Sequence, residues 1–445
     1  MPVRNFYLKL VASMGLWALT LSPIFSSQTP SFSRNLPQEE FLSNGLKLIY
    51  QKDTSSAITV FQILIKGGKA VEPEDKSGLA YLTTRLMLEI PDQKKARDLM
   101  NQASRVSMTS RGDYSLINIT CLSEHVEETL RVTTKIMLKP LFSGLRIERT
   151  KKMINYHRNT QEDDPANVAH KTYLERLFAK KGYGSSVLGS EESLKAIKKK
   201  DVKNFYDSYF KAENMVVVVI SDLEKAPLIE ILDEYFAKLP SGKPVESKPN
   251  SVTIPEEKQV LIEKDTKQFF ISLGFPLPKI TRKNFALASI VENLLGKGVG
   301  SRLWDLRYIE KLAYNVNAQA TLMKDGGMLE AYLETDKEKK EVALEALKKV
   351  LSSLFEKGIT EEELEVTKIN VKASFLRANE TKVIRAGNLV SFEALGLGYE
   401  FLSGFFLEID AIGLDEINTY IKDILNPEKG MEVLIGPKEE IPAGI

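Results

Sequence analysis

Arg307 and Tyr314, seven positions apart, are the residues of this chain whose types and setting point most clearly to chemistry. They lie in Leu306-Arg307-Tyr308-Ile309-Glu310-Lys311-Leu312-Ala313-Tyr314, shortly after the run Gly296-Lys297-Gly298-Val299-Gly300-Ser301-Arg302-Leu303. An arginine offers a rigid fork of N–H donors, and a phenol donates one hydrogen bond to an oxygen that is gaining negative charge. The glycines do not form a phosphate turn. Neither G-x-G-x-x-G nor a G-K-[ST] ending is present, and the run sits between two predicted helices rather than after a strand. Histidine is scarce, with only His125, His157 and His170, and none stands at ligand spacing from another. Cys121 is the single cysteine, which excludes a disulfide framework and a thiolate metal cluster. It falls in a strand-like run and reads as a small buried apolar residue.

A second stretch carries a chemistry that is missing. Gly67-Gly68 leads through Glu72, Asp75 and Lys76 to Ser77-Gly78-Leu79-Ala80, which resembles the approach to the zinc helix of the insulinase-like (M16) metallopeptidase family. That family continues with H-x-x-E-H, whose histidines share one helix face and reach a single zinc, while the glutamate acts as base on the metal-bound water. Here the sequence is Tyr81-Leu82-Thr83-Thr84-Arg85. Tyr81 and Arg85 occupy the histidine positions and Thr84 that of the glutamate. A guanidinium repels zinc, and a threonine hydroxyl is no base at neutral pH. Matching the family's D-x-P-like stretch to Asp163-Asp164-Pro165 puts His157 at the position of its third ligand, a glutamate. The resemblance implies a degenerate zinc site at Tyr81, Thr84, Arg85 and His157, with no metal bound by this chain.

The resemblance also gives Arg307 and Tyr314 a role. The glycine turn, S-R-L, and L-R-x-x-x-x-L-A-Y are similar to the family's motif whose Arg and Tyr reach into the peptidase cleft and hold the substrate backbone. Some members work as pairs, one subunit with the zinc and the other with the Arg/Tyr pair. The implied function is therefore an exported, non-catalytic subunit that binds peptide and complements a separate zinc-bearing M16 subunit, the zinc residing on that partner. The alternative is a peptide-binding or scaffold protein of the same fold with no role in proteolysis. The glycine loop is too short to resemble that of the mitochondrial processing-peptidase α subunit.

The elements that must position these residues are legible as a repeat. The resemblance runs from about Leu36 to Pro437. A segment rich in proline and charge, residues 239–258, reads as a linker between an N-terminal domain (36–238) and a C-terminal domain (259–445). Each domain opens with an apolar strand, Ile58 to Ile65 or Phe269 to Phe275, followed by a helix near Leu79 to Leu88 or Phe285 to Leu295. Each closes with a helix and then a strand: Asp201 to Tyr209 and Met215 to Ile220, or Asp415 to Ile424 and Met431 to Ile435. Leu344, Leu347, Leu351 and Leu354 form a helical stripe stopped by Gly358, and Thr360 with Glu363 reads as a capping box. Mixed helices and strands without strict alternation predict an α+β protein. Each of its two homologous domains would be a mainly antiparallel sheet packed with helices, the pair forming a clam-like chamber with a cleft between them.

At the N-terminus, Arg4 and Lys9 precede an apolar stretch from Leu10 to Phe25 and then Ser26, Ser27 and Gln28. This is the order of a secretory signal peptide (residues 1–27), so the expected location is periplasmic or secreted, with no stable membrane insertion after cleavage. A net charge of +1 gives no reason to expect nucleic acid as partner.

Overall fold

The computed structural model describes residues 35–438, apart from 91–95, 98, 101 and 246–248. The expected signal peptide lies outside the described residues. Among the described residues, no helix is long and apolar enough to cross a membrane.

Two sheets carry the fold, and they share one topology. The first comprises β1 (Gln38–Phe41), β2 (Lys47–Lys52), β3 (Ile58–Ile65), β4 (Arg105–Ser110), β5 (Ser115–Leu122) and β6 (Met215–Ser221). Its spatial order is β1-β2-β6-β3-β5-β4. The second comprises β7 (Gln259–Glu263), β8 (Gln268–Leu277), β9 (Asn315–Met323), β10 (Gly326–Asp336) and β11 (Met431–Gly436), in the order β7-β11-β8-β10-β9. Apart from β1, each sheet therefore runs first-last-second-fourth-third in chain order. In each, the first and last strands pair in parallel and all other neighbours are antiparallel. The repeat read from the sequence is thus a repeat of topology, and the α+β class holds.

The strands read as continuous apolar runs because both faces of each sheet are covered. In β6 every residue is buried. Met215, Val217 and Val219 face a core built with the N-terminal helices, whereas Val216, Val218 and Ile220 join the core of the C-terminal half. The cover on that second face is the helix Lys382–Leu395, contributed by the C-terminal half. Gln62 Nε2 donates to Val383 O at 3.0 Å, and Lys382 Nζ donates to Ser56 O at 2.7 Å and Ile58 O at 2.9 Å. Arg385 adds a hydrogen bond to Gln51 Oε1 at 2.9 Å and an ion pair with Asp53.

The exchange is reciprocal. Helix Pro165–Leu177 of the N-terminal half covers β8 and β11 of the second sheet. The hydroxyl of buried Tyr173 lies 2.8 Å from both Ser272 O and Met431 O, its one proton serving these two acceptors. Gly274 is required beneath it, since a Cβ there would lie 2.4 Å from the Tyr173 ring. The two halves interlock, each lending a helix to the other's sheet. Between them, the described residues of 239–258 hold neither helix nor strand. They are pinned by Thr253 N to Leu177 O (2.7 Å) and Asn250 N to Asp325 Oδ2 (2.9 Å).

Smaller expectations also hold. Leu344, Leu347, Leu351 and Leu354 are the buried stripe of helix Lys340–Lys357, which ends at Gly358 with a positive φ of 66°. The Thr360–Glu363 capping box opens helix Glu361–Ala378.

Candidate functional site

The helix that resembles a zinc helix, Leu79–Met87, is positioned with care although it carries no metal ligands. Its N-terminus starts from left-handed Gly78 (φ 90°), and the Glu72 carboxylate accepts from Gly78 N at 2.9 Å and Ala80 N at 2.7 Å. These are backbone donors that no turn of the helix can satisfy, and a carboxylate there also meets the positive end of the helix dipole. Burial pushes the Glu72 carboxyl up to about 8, against those two N–H donors and the Lys69 charge. Burial likewise brings Lys69 down to about 8, against Glu72, Glu175 and Asp113. Lys69 Nζ donates to Tyr183 O (2.6 Å) and Ser185 O (2.7 Å), tying this approach to the following loop.

On the helix itself the three replaced positions diverge. Tyr81 is half-buried and lines the large cleft, Thr84 is fully buried, and Arg85 is exposed. The Thr84 hydroxyl is turned back onto its own helix, donating to Ala80 O at 2.9 Å. His157, exposed on the neighbouring helix Gly144–Glu162, also lines the cleft, with its ring edge-on to Tyr156. Among the described residues no group of three or more His, Cys, Asp or Glu could hold a metal ion. A phenol, a tied hydroxyl, a guanidinium and one imidazole do not fit zinc, and no hydrolytic step follows from them.

The cleft has a volume of about 1080 Å³ and lies between the two halves. One wall is β4 with the turn that follows it (Met108 to Tyr114), another is Gln319 to Met323 of β9, and helix residues around His157 and His170 close it. Both β4 and β9 are sheet edges. They are not equivalent. The N–H groups of Ala318 and Ala320 on β9 are taken by Asn317 Oδ1 (2.9 Å) and Glu292 Oε1 (3.3 Å), which blunts that edge. No such side-chain cover is seen on β4 among the described residues.

Two contacts between the halves, beside the cleft, escaped sequence reasoning. Asp113, in the turn after β4, accepts from the Tyr183 hydroxyl and from Lys324 N (3.1 Å), joining the hairpin turns of the two halves. Glu330 on β10 is 6% exposed, and its Oε2 lies 3.5 Å from His170 Nδ1. Neither pair has a sequence signal, because each joins residues far apart in the chain.

Arg307 and Tyr314 are placed elsewhere. Both are exposed and line a separate concavity of about 460 Å³ at the end of the short helix Trp304–Tyr308. Arg307 lies over the Tyr308 ring (5.2 Å to its centre), and the Tyr314 hydroxyl donates to Asp336 Oδ2 at 3.1 Å. That bond raises the phenol's pKa, as does the Asp336 charge. The structure therefore brings Arg307 and Tyr314 together with each other, and Tyr81 together with His157, but it does not bring the two pairs into one pocket.

Two family models match this sequence: "Insulinase (Peptidase family M16)" over residues 47–191 and "Peptidase M16 inactive domain" over residues 196–371. The chain belongs to the insulinase-like M16 family. A relative in Helicobacter pylori, named non-peptidase homolog YmxG, is 26% identical over 393 residues, covering 87% of this chain and 91% of that protein. A Bacillus subtilis relative, named uncharacterized zinc protease YmxG, is 21% identical over 408 residues (90% and 98%). A solved M16 inactive domain from Pseudomonas fluorescens has the same fold, with a TM-score of 0.82 at 20% identity, covering 91% of this chain and 98% of that one.

Proposed function

We propose that this protein is an exported, non-catalytic M16 subunit that holds peptide and complements a separate zinc-bearing M16 subunit. The observation that carries the reading is an asymmetry. The zinc positions hold Tyr81, Thr84, Arg85 and His157, while Arg307 and Tyr314 remain, exposed and lining one concavity. A chain that has lost its base and its ligands but keeps exposed donors suits a partner that grips substrate for a metal held elsewhere. The open β4 edge along the cleft supports peptide holding, since an extended chain added there gains main-chain hydrogen bonds. The name of the H. pylori relative agrees with a non-peptidase role. Export rests on the leader-like order of residues 1–27.

The test is to purify this chain with the zinc-bearing relative encoded nearest to it and follow both complex formation and peptide hydrolysis. Co-elution, with hydrolysis that rises on mixing and falls with Arg307→Ala, supports the proposal. A partner equally active with wild-type and Arg307→Ala chains overturns it.

One observation favours the second reading, a scaffold or peptide-binding protein outside proteolysis. Arg307 and Tyr314 do not line the cleft, and the phenol is already bonded to Asp336. Recovery of partners that contain no zinc-bearing relative would select it.

A further inference from the structure

The concavity around Arg307 and Tyr314 has a charge pattern that the Arg/Tyr pair alone does not explain. Lys311 and Lys339 also line it, giving three cations, and no carboxylate is among its lining residues. Its floor is apolar, formed by Leu312 and Ala313. The neighbouring Asp336 is engaged from its own side, accepting the Tyr314 hydroxyl and lying 3.9 Å from Lys339 Nζ. Among the described residues neither Arg307 nor Lys311 has an ion-pair partner, and Arg307 meets only the Tyr308 ring. Arg307 and Lys311 thus face the hollow without a carboxylate partner among the described residues, while Lys339 is shared with Asp336.

The backbone adds an independent observation. Lys311 adopts φ 53°, the left-handed region that glycine or asparagine enters far more readily than lysine. Lys339 Nζ donates to the Lys311 carbonyl at 3.2 Å and so fixes this strained turn from the opposite wall. Nothing in local folding calls for a lysine at this position. What it supplies is an ammonium group at the concavity.

We infer that this concavity binds a peptide carboxylate, either an acidic side chain or a free C-terminus, beside the backbone that Arg307 and Tyr314 hold. The inference rests on the peptide-holding reading above and adds to it a selection for acidic peptides. A carboxylate entering here meets the fork of Arg307 and the ammonium of Lys311, with Lys339 close by, beside the apolar Leu312 and Ala313.

The experiment uses the full chain with Trp17→Phe, which leaves Trp304 as the only tryptophan. Trp304 stacks on Tyr308, 4.0 Å between ring centres, so its emission reports on this concavity. Three matched peptides are titrated: one with internal glutamates and blocked ends, the same with glutamines, and the glutamine peptide with a free C-terminal carboxylate. The glutamate peptide should bind about three- to tenfold more tightly than its glutamine counterpart, with the difference shrinking as salt is raised. Tighter binding of the third peptide would assign the C-terminus as the anion. Lys311→Gly should remove the preference while leaving thermal stability unchanged or raised, because glycine relieves the left-handed strain; a folding defect cannot then account for the loss. Equal binding of all three peptides, or a preference that survives Lys311→Gly combined with Lys339→Ala, overturns the inference but leaves peptide holding intact. Failure of every peptide to bind overturns both.

Discussion

At the residue scale, exposure separates function from stability. Arg307 and Tyr314 are exposed, so replacing either with alanine should change stability by no more than about 0.5 kcal/mol. If the pair acts on substrate, the same substitutions should reduce hydrolysis by the mixed subunits about a hundredfold, the scale of losing one donor to a developing oxyanion. Thermal melts and initial rates on the same preparations check both halves of this prediction. The Asp53–Arg385 pair, which joins the two halves, behaves in the opposite way. Burial raises the Asp53 carboxyl, but hydrogen bonds from Ser55 and the Arg385 charge outweigh it, so the net shift is downward. Its contribution is therefore present above the ordinary carboxylate value of 3.8 and is lost as pH falls through the lower folded value. Asp53→Asn should lower stability at neutral pH and flatten the acid limb of the stability–pH curve, as read by urea melts from neutral pH to about pH 2. Of this residue-level detail, the motif positions were legible in the sequence, because helix and turn geometry is local. That Thr84 spends its hydroxyl on Ala80 O, or that Lys311 sits in a left-handed turn, was not, since neither follows from residue type.

At the element scale the sequence was most informative where burial is two-sided. Ile58–Ile65 was read with both ends correct, and Met215 to Ile220 fell one residue short of β6, because a strand covered on both faces must be apolar throughout. The weaker edge strands β1, β4 and β9 escaped reading, since half-exposed residues leave little period to detect. The crossed helices escaped it too: Pro165–Leu177 and Lys382–Leu395 are ordinary amphipathic helices, and only the folded chain shows whose sheet each covers. Their fit can be tested. Gly274→Ala would press a methyl group into the Tyr173 ring and should cost about 1–3 kcal/mol. Tyr173→Phe keeps the ring but removes the one hydroxyl proton placed between two buried carbonyls and should cost about 1–2 kcal/mol. Denaturant titration of the two variants should rank them in that order or equal. A neutral Gly274→Ala would mean that this helix is not seated as described.

At the scale of the whole molecule, the exchange of helices makes the two halves one folding unit in spite of the linker. The core of the C-terminal half includes Val60, Val216 and Ile220 from the first sheet, and the second sheet rests on Tyr173 from the first half. Unfolding should therefore be a single transition by both circular dichroism and Trp304 emission, and a chain cut within residues 239–258 should melt as one species while its pieces stay together. The two-domain organisation was legible as an internal repeat; the interlock was not, because a repeat reveals likeness between halves and not the contacts between them. The same interlock holds the degenerate zinc helix and the β4 edge beside one cleft, with the Arg307 concavity as a separate feature of the C-terminal half.

The central claim is that this chain contributes peptide binding, and no metal chemistry, to a zinc-bearing M16 partner. It is tested most directly by peptide hydrolysis measured for this chain alone, for the zinc-bearing relative alone, and for the two mixed. The account predicts no hydrolysis from this chain, and activity in the mixture well above that of the relative, returning to the relative's own level with Arg307→Ala. Hydrolysis by this chain alone, blocked by a chelator, would contradict the account at its root.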